Sequence, residues 1–188
     1  MAAPWRVDAD GWVEGLRRLP SPHFDARPVG SAIDLLVLHN ISLPPGEFGT
    51  GRVDALFGGT LEPCGQPFLD QLVGVRVSAH FLIERSGRAT QFVSCADRAW
   101  HAGESRFAGR PRCNDFSIGV ELEGTDFTPF SDAQYRALDA LLDALLPAYP
   151  LAHARGHSEI APARKTDPGP FFDWTRLRRL RALRAAQA

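Results

Sequence analysis

The apolar positions of this chain follow two rhythms. Asp34-Leu35-Leu36-Val37-Leu38-His39 is a continuous apolar run closed by a histidine, the pattern of a strand buried on both faces. Phe116 to Glu123 alternates instead. Phe116, Ile118, Val120 and Leu122 take one side, and Ser117, Gly119, Glu121 and Glu123 take the other. One face of such a strand packs on helices while the opposite face presents carboxylates. Val75 to Glu84 predicts a further strand, Arg85-Ser86-Gly87-Arg88 a hairpin turn, and Ala89 to Val93 the returning strand. Ala152 to Gly156 predicts a short strand leading to His157. Helical spacing is clearest from Ser131 to Leu146, where Tyr135, Leu138, Leu142, Leu145 and Leu146 form a buried stripe. Ser131 and Gln134 there make a capping box. A short amphipathic helix is expected from Asp10 to Leu19, with Trp12, Val13, Leu16 and Leu19 on one side and Pro20 and Pro22 ending it. Asp173 is expected to N-cap a last helix carrying Trp174, Leu177 and Leu180.

Asn40 to Gln71 is irregular, punctuated by prolines and glycines, with a short helix expected at Arg52 to Phe57. So long an insertion reads as a lid or a binding rim. No internal repeat, low-complexity segment or linker divides the chain. One domain over residues 1–188 is expected, with a core of about 20–175 and the two terminal helices packed on it.

Composition narrows the partners. With 188 residues, 44% hydrophobic and 23% charged, the chain reads as an ordinary soluble domain. A formal net charge of -1 gives no global attraction to nucleic acid or anionic membrane. Arg176, Arg178, Arg179, Arg181 and Arg184 make the last helix basic, and read as a solvated face. No stretch approaches the roughly 18 apolar residues of a membrane span. Three cysteines without a C-x-x-C spacing argue against a disulfide framework. The N-terminal residues show no apolar signal region, so a cytoplasmic location is expected; a monomer is expected as well.

The densest chemistry lies between Gly156 and Trp174. His157, Lys165 and Asp167 stand there among three prolines and two glycines, which hold the stretch out of any long helix or strand. A catalytic zinc takes three protein ligands and keeps an open position. His157 and Asp167 supply two, and His39, at the carboxyl end of its strand, is the candidate third. The ten-position spacing of His157 and Asp167 is not by itself a zinc motif, and taken alone it reads more readily as ordinary buried or surface polar residues than as metal ligands. His80, beside Phe81 and Leu82, reads as a hydrogen-bonded core histidine, and His23 as a packing or surface residue. Period-two alternation puts Glu121 and Glu123 on one face and does not choose between them.

Five blocks carry a resemblance. They are His39-Asn40-Ile41-Ser42-Leu43-Pro44-Pro45-Gly46, Arg76-Val77-Ser78-Ala79-His80, Arg98-Ala99-Trp100-His101-Ala102-Gly103, Arg112 to Gly124, and Gly156 to Trp174. In this order they resemble the AmpD family, zinc-dependent 1,6-anhydro-N-acetylmuramyl-L-alanine amidases of cell-wall recycling. The resemblance implies an α/β fold with a central mixed sheet and helices on both faces, which the strand–helix pattern agrees with but does not order. It implies zinc on His39, His157 and Asp167, catalysis by Glu121 and Lys165, and no departure at these positions. In the wider superfamily a cysteine often replaces the aspartate and a tyrosine often precedes the strand histidine, where Ala79 stands here. The substrate implied is a cytoplasmic anhydromuropeptide, cut between the lactyl group and L-alanine, with an effect on β-lactamase induction in some bacteria. Arg76 and Arg112 are candidate carboxylate clamps. Trp100 offers an apolar face, and Asn40 a hydrogen bond to a peptide amide. The alternative is a peptidoglycan-fragment binding module on the same fold with dead chemistry.

Overall fold

A strand that is apolar throughout must lie in the middle of a sheet with both faces covered, and the Leu35 run does. A computed structural model describes residues 5–185. In chain order its first strands are β1 (Arg6–Val7), β2 (Val13–Glu14), β3 (Arg17–Arg18), β4 (Phe24–Ala26) and β5 (Leu35–Ile41). The short helices α1 (Arg52–Phe57) and α2 (Pro67–Asp70) follow, then β6 (Phe81–Ile83), β7 (Ala89–Gln91), β8 (Asp97–Ala99), β9 (Arg106–Phe107) and β10 (Arg110–Pro111). After a 3-10 turn at Cys113–Asp115 come β11 (Ser117–Glu123), α3 (Asp132–Leu145), β12 (His153–Gly156), α4 (His157–Ile160) and α5 (Arg178–Ala185).

Six strands form one mixed sheet in the order β12-β5-β11-β6-β7-β3. The first four run parallel, β7 returns antiparallel to β6, and β3 lies parallel to β7. One face, with Leu36, Leu38, Ile118, Val120 and Leu122, packs on Leu138, Leu141, Leu142 and Leu145 of α3 and on Leu180 and Leu183 of α5. The opposite face places Leu82 against Val53, Leu56 and Phe57 of α1, and Leu35 and Val37 against Ala102, Phe107 and Ile160. Helices therefore cover both faces. Each fully buried leucine or isoleucine contributes roughly 1.5–3 kcal/mol, so this three-layer packing is what holds the sheet together. Among the described residues no helix is long and apolar enough to cross a membrane.

The capping box forms as expected, Ser131 Oγ accepting the Gln134 N–H at 3.1 Å and Gln134 Oε1 accepting the Ser131 N–H at 3.0 Å. Gln134 does more than cap. Its Nε2 donates to Ile83 O at 3.1 Å and to Glu123 O at 2.9 Å, tying α3 to the ends of β6 and β11.

Five expectations need correction. Residues 10–19 form no helix but turns and the short strands β2 and β3. Gly11 and Gly15 adopt φ of 81° and 84°, a left-handed backbone that a right-handed helix does not accommodate. The strand expected over Val75 to Glu84 pairs only at Phe81–Ile83, because the chain before it swings away and the Ser78 N–H bonds to Trp100 O. Phe116 lies before β11 and packs in the small cluster with Leu35 and Val37, not with Ile118. Asp173 Oδ1 accepts the Thr175 N–H at 2.9 Å and closes a local turn, and the last helix starts only at Arg178. Its basic face is not simply solvated. Arg179 pairs with Asp139 and Asp143 on α3, Arg184 with Glu159, and Arg176, just before the helix, with Asp132.

Candidate metal centre and active site

Parallel strands deliver their side chains to one edge of a sheet, the edge at their carboxyl ends. Here β5, β11 and β12 do so together. His39 on β5 and Glu121 on β11 are register partners, so both side chains leave the sheet on the same face. β12 ends at Gly156, and His157 opens α4 immediately after it. The proline-rich loop then folds back, its Asp167 O accepting the Ser158 N–H at 2.9 Å. Asp167 thereby returns to His157 and His39.

The three side chains converge. His39 Nδ1 lies 3.0 Å from His157 Nδ1 and 2.9 Å from Asp167 Oδ2, and His157 Nδ1 lies 3.1 Å from that same oxygen. A triangle with edges of about 3 Å has a point about 2 Å from every corner, the distance zinc takes from nitrogen and oxygen donors. The far nitrogens agree. His157 Nε2 faces Ala102 O at 3.0 Å and must carry a proton to bond there. His39 Nε2 faces His101 Nδ1 at 2.9 Å. Protons on both Nε2 atoms leave both Nδ1 lone pairs free and aimed at one point. Burial holds His39 in the neutral form, down to about 4, against the pull of Asp167. Burial pushes the Asp167 carboxyl up, but the contacts with His157 and His39 outweigh it and keep that carboxyl well below its usual range. Two neutral imidazoles and one carboxylate suit zinc, so the residues fit the metal that the resemblance implies.

A cavity of about 250 Å³ opens over this group, lined among others by His39, Glu121, His157, Lys165 and Asp167. Glu121 is buried, and its Oε2 has no hydrogen-bond partner among the described residues. Burial pushes its carboxyl well above the ordinary range, the Asp167 charge adds to the push, and Lys165 opposes it. Glu123 is occupied elsewhere. One of its oxygens accepts the Gly49 N–H and the other the Arg85 N–H at 3.1 Å, so it anchors the loop after β5 and the β6–β7 turn. Lys165 forms no ion pair with Asp167 among the described residues, although both line the cavity.

A second hollow of about 480 Å³ adjoins the first and shares Asn40, Ile41, Lys165 and Asp167 with it. Asn40 Nδ2 donates to Asp126 Oδ1 at 2.7 Å on that wall. Trp100 lines the first cavity, its Nε1–H bonded to Asp25 at 3.0 Å. The Arg76 guanidinium lies over the Trp100 ring, 5.2 Å from its centroid. Neither Arg76 nor Arg112 is on the wall of either hollow; Arg112 is 67% exposed and paired with Asp115 at 3.3 Å, though close enough for its charge to act on Asp25. His23 packs on Trp100, and His80 is buried, its Nδ1 accepting the Gly119 N–H at 3.0 Å. Two residues of the site went unread in the sequence. Phe127, 84% exposed, stands on the wall of the second hollow, and no local pattern marks it. His101 stands behind His39 and was visible only as a histidine in a loop.

The chain matches the model of the N-acetylmuramoyl-L-alanine amidase family over residues 29–170. It is 56% identical over 170 residues to the 1,6-anhydro-N-acetylmuramyl-L-alanine amidase AmpD of Escherichia coli (strain K12), covering 89% of this chain and 93% of that relative. The crystal structure of a selenomethionine AmpD derivative superposes with a TM-score of 0.87 at 55% identity, covering 91% of this chain and 97% of that one. A complex of the E. coli amidase AmiD with the substrate anhydro-N-acetylmuramic acid-L-Ala-D-gamma-Glu-L-Lys superposes at 0.60 with 28% identity, over 93% of this chain and 65% of that one. A converging pair of imidazoles and a carboxylate, a fold that superposes at a TM-score of 0.87, and identity above half along almost the whole length lead to one conclusion: the chain belongs to the N-acetylmuramoyl-L-alanine amidase family.

Proposed function

We propose that this protein is a zinc amidase that hydrolyses the amide between the lactyl group of 1,6-anhydro-N-acetylmuramic acid and L-alanine in soluble muropeptides. One observation carries the reading: a buried carboxylate, Glu121, with one oxygen unpartnered among the described residues, shares a cavity with a three-donor group spaced for zinc. The names of the relatives supply the substrate. Zinc held by His39, His157 and Asp167 would polarise the scissile carbonyl and lower the pKa of a water to about 7.

The chain's own residues do the rest. Glu121 takes a proton from the attacking water and returns it to the leaving alanine nitrogen, so the C–N bond breaks to a lactyl carboxylate and a free amine. A carboxyl raised by burial is suited to both halves of that transfer near neutral pH. Lys165, on the same wall, stabilises the negative charge that develops on the carbonyl oxygen, and losing such a donor typically costs about 10²–10³ in rate. The two adjoining hollows give room on either side of the scissile bond. Asn40, at their junction, is placed to bond a peptide amide. Arg76, stacked on Trp100, is the stronger clamp for a stem-peptide carboxylate, and Arg112 a more peripheral one. Acting on imported wall fragments, the enzyme would work in the cytoplasm, where it would also drain fragments that induce β-lactamase.

Release of the L-alanyl peptide from an anhydromuropeptide, followed with and without a strong chelator, tests the proposal. Turnover that stops with chelator and returns with added zinc is expected. Tight binding of the fragment without cleavage, with zinc present, would replace the enzyme by a receptor for wall fragments.

A further inference from the structure

Both ligand histidines turn Nδ1 to the metal position, so each must place an Nε2–H on an acceptor. A single pair of neighbouring residues supplies both acceptors: Ala102 O for His157 and His101 Nδ1 for His39. Their backbone is clamped by one buried side chain, Asn114, whose Oδ1 accepts the His101 N–H at 3.2 Å and the Ala102 N–H at 2.8 Å. The His101 ring meets His39 edge-on, at 84° and 5.1 Å between centroids. It fits against β11 because position 119 is glycine. A Cβ there would stand 2.4 Å from the ring, inside any tolerable contact. On its far side His101 Nε2 lies 3.1 Å from Ser117 Oγ.

We infer that His101 is a positioning residue of the metal centre, its Nδ1 accepting the Nε2–H of His39 and its Nε2–H resting on Ser117 Oγ. With His39 donating its Nδ1 lone pair, the chain of bonds has only one polarity. His39 Nε2–H points to a bare His101 Nδ1, and His101 Nε2–H points to the serine hydroxyl, which accepts. A proton on His101 Nδ1 would set two N–H groups against each other and favour the His39 tautomer whose proton occupies the metal's place. A partner of this kind fixes the ring plane of a ligand and typically changes metal affinity by about 10–100-fold. The inference rests on the metal reading above.

The test is the zinc Kd of the full chain, measured by competition with a chromogenic chelator and read beside a thermal melt. If the unaltered chain binds no zinc, the metal reading falls and this inference with it. If it binds, His101→Phe, which fills the space without an acceptor, should weaken zinc by about 10–100-fold. His101→Asn, whose Oδ1 stands near the place of Nδ1, should recover most of that loss. A role in packing alone would move the melt and leave the Kd unchanged. A wild-type Kd in His101→Phe, or equal weakness in the phenylalanine and asparagine variants, overturns the inference while leaving the metal reading intact. Should His101→Phe fail to fold, Ser117→Ala decides: a Kd several-fold weaker supports the chain of bonds, and an unchanged Kd removes it.

Discussion

Glu121 and Glu123 leave β11 on the same face, and both are buried. Their surroundings separate them. Glu123 has spent both oxygens on backbone N–H groups, whereas Glu121 keeps one oxygen unpaired among the described residues, in the cavity it shares with the metal group. Glu121→Gln should therefore retain zinc and fold while losing about 10²–10⁴ in kcat, the usual worth of a general acid–base group. Glu123→Gln leaves one part-buried N–H without its charged acceptor, a bond worth about 1.5–3 kcal/mol of stability, while activity per folded molecule largely persists. Zinc content, turnover and urea denaturation on both variants check this, and the assignment fails if the two lose activity alike. Alternation in the sequence brought both carboxylates to one face. It could not choose, because the partners of Glu123, at Gly49 and Arg85, lie far away along the chain. His101 was illegible for the same reason: nothing near it in sequence announces His39 as its neighbour.

At the scale of elements, what was legible is what local pattern decides. The Leu35 strand, the β6–β7 turn, α3 with its capping box and the short α1 need only a few neighbouring residues to specify them. The terminal segments were misread because their apolar spacing suits a helix while Gly11, Gly15 and the Asp173 turn do not. Strand order was never in the pattern, since it depends on which strand docks beside which. The last helix shows which interaction holds an element. Its arginines pair with acids on α3, but those pairs are largely exposed, and exposed pairs contribute about 0–1 kcal/mol. Leu180 is fully buried against the sheet. Leu180→Ala should cost about 2–5 kcal/mol, and Arg179→Ala under about 1 kcal/mol, in urea denaturation monitored by tryptophan fluorescence. Comparable losses in the two variants would mean that the ion pairs, not the apolar contact, dock this helix.

Over the whole molecule, the centre draws on stability that depends on pH. Burial holds His39 down to about 4 and His80 down to about 3, the nearby Arg27 charge helping at His80. In the unfolded chain both return to an ordinary value of 6.5. As pH falls below that value the unfolded chain takes up protons that the folded one refuses. Their contribution is therefore whole above about 6.5 and is lost as pH falls toward 4 and 3. Glu121 works the other way: its carboxyl is raised, so its contribution is complete below its ordinary 4.5 and lost as pH rises through the raised value. At about 1.4 kcal/mol per unit of displacement, the two imidazoles together make the acid side costly, by several kcal/mol. The urea midpoint of the metal-free protein should thus fall steeply from pH 6.5 to 4. Zinc at about 100 times its Kd should add about 2.7 kcal/mol at pH 7.5. Protons compete with the metal for the His39 and His157 nitrogens, so at a fixed zinc concentration that increment should shrink by pH 5.5. Urea curves with and without zinc at the two pH values measure both effects. An increment independent of pH would mean that zinc binds through carboxylates elsewhere, because a site built on imidazole nitrogens has to give way as those nitrogens are protonated.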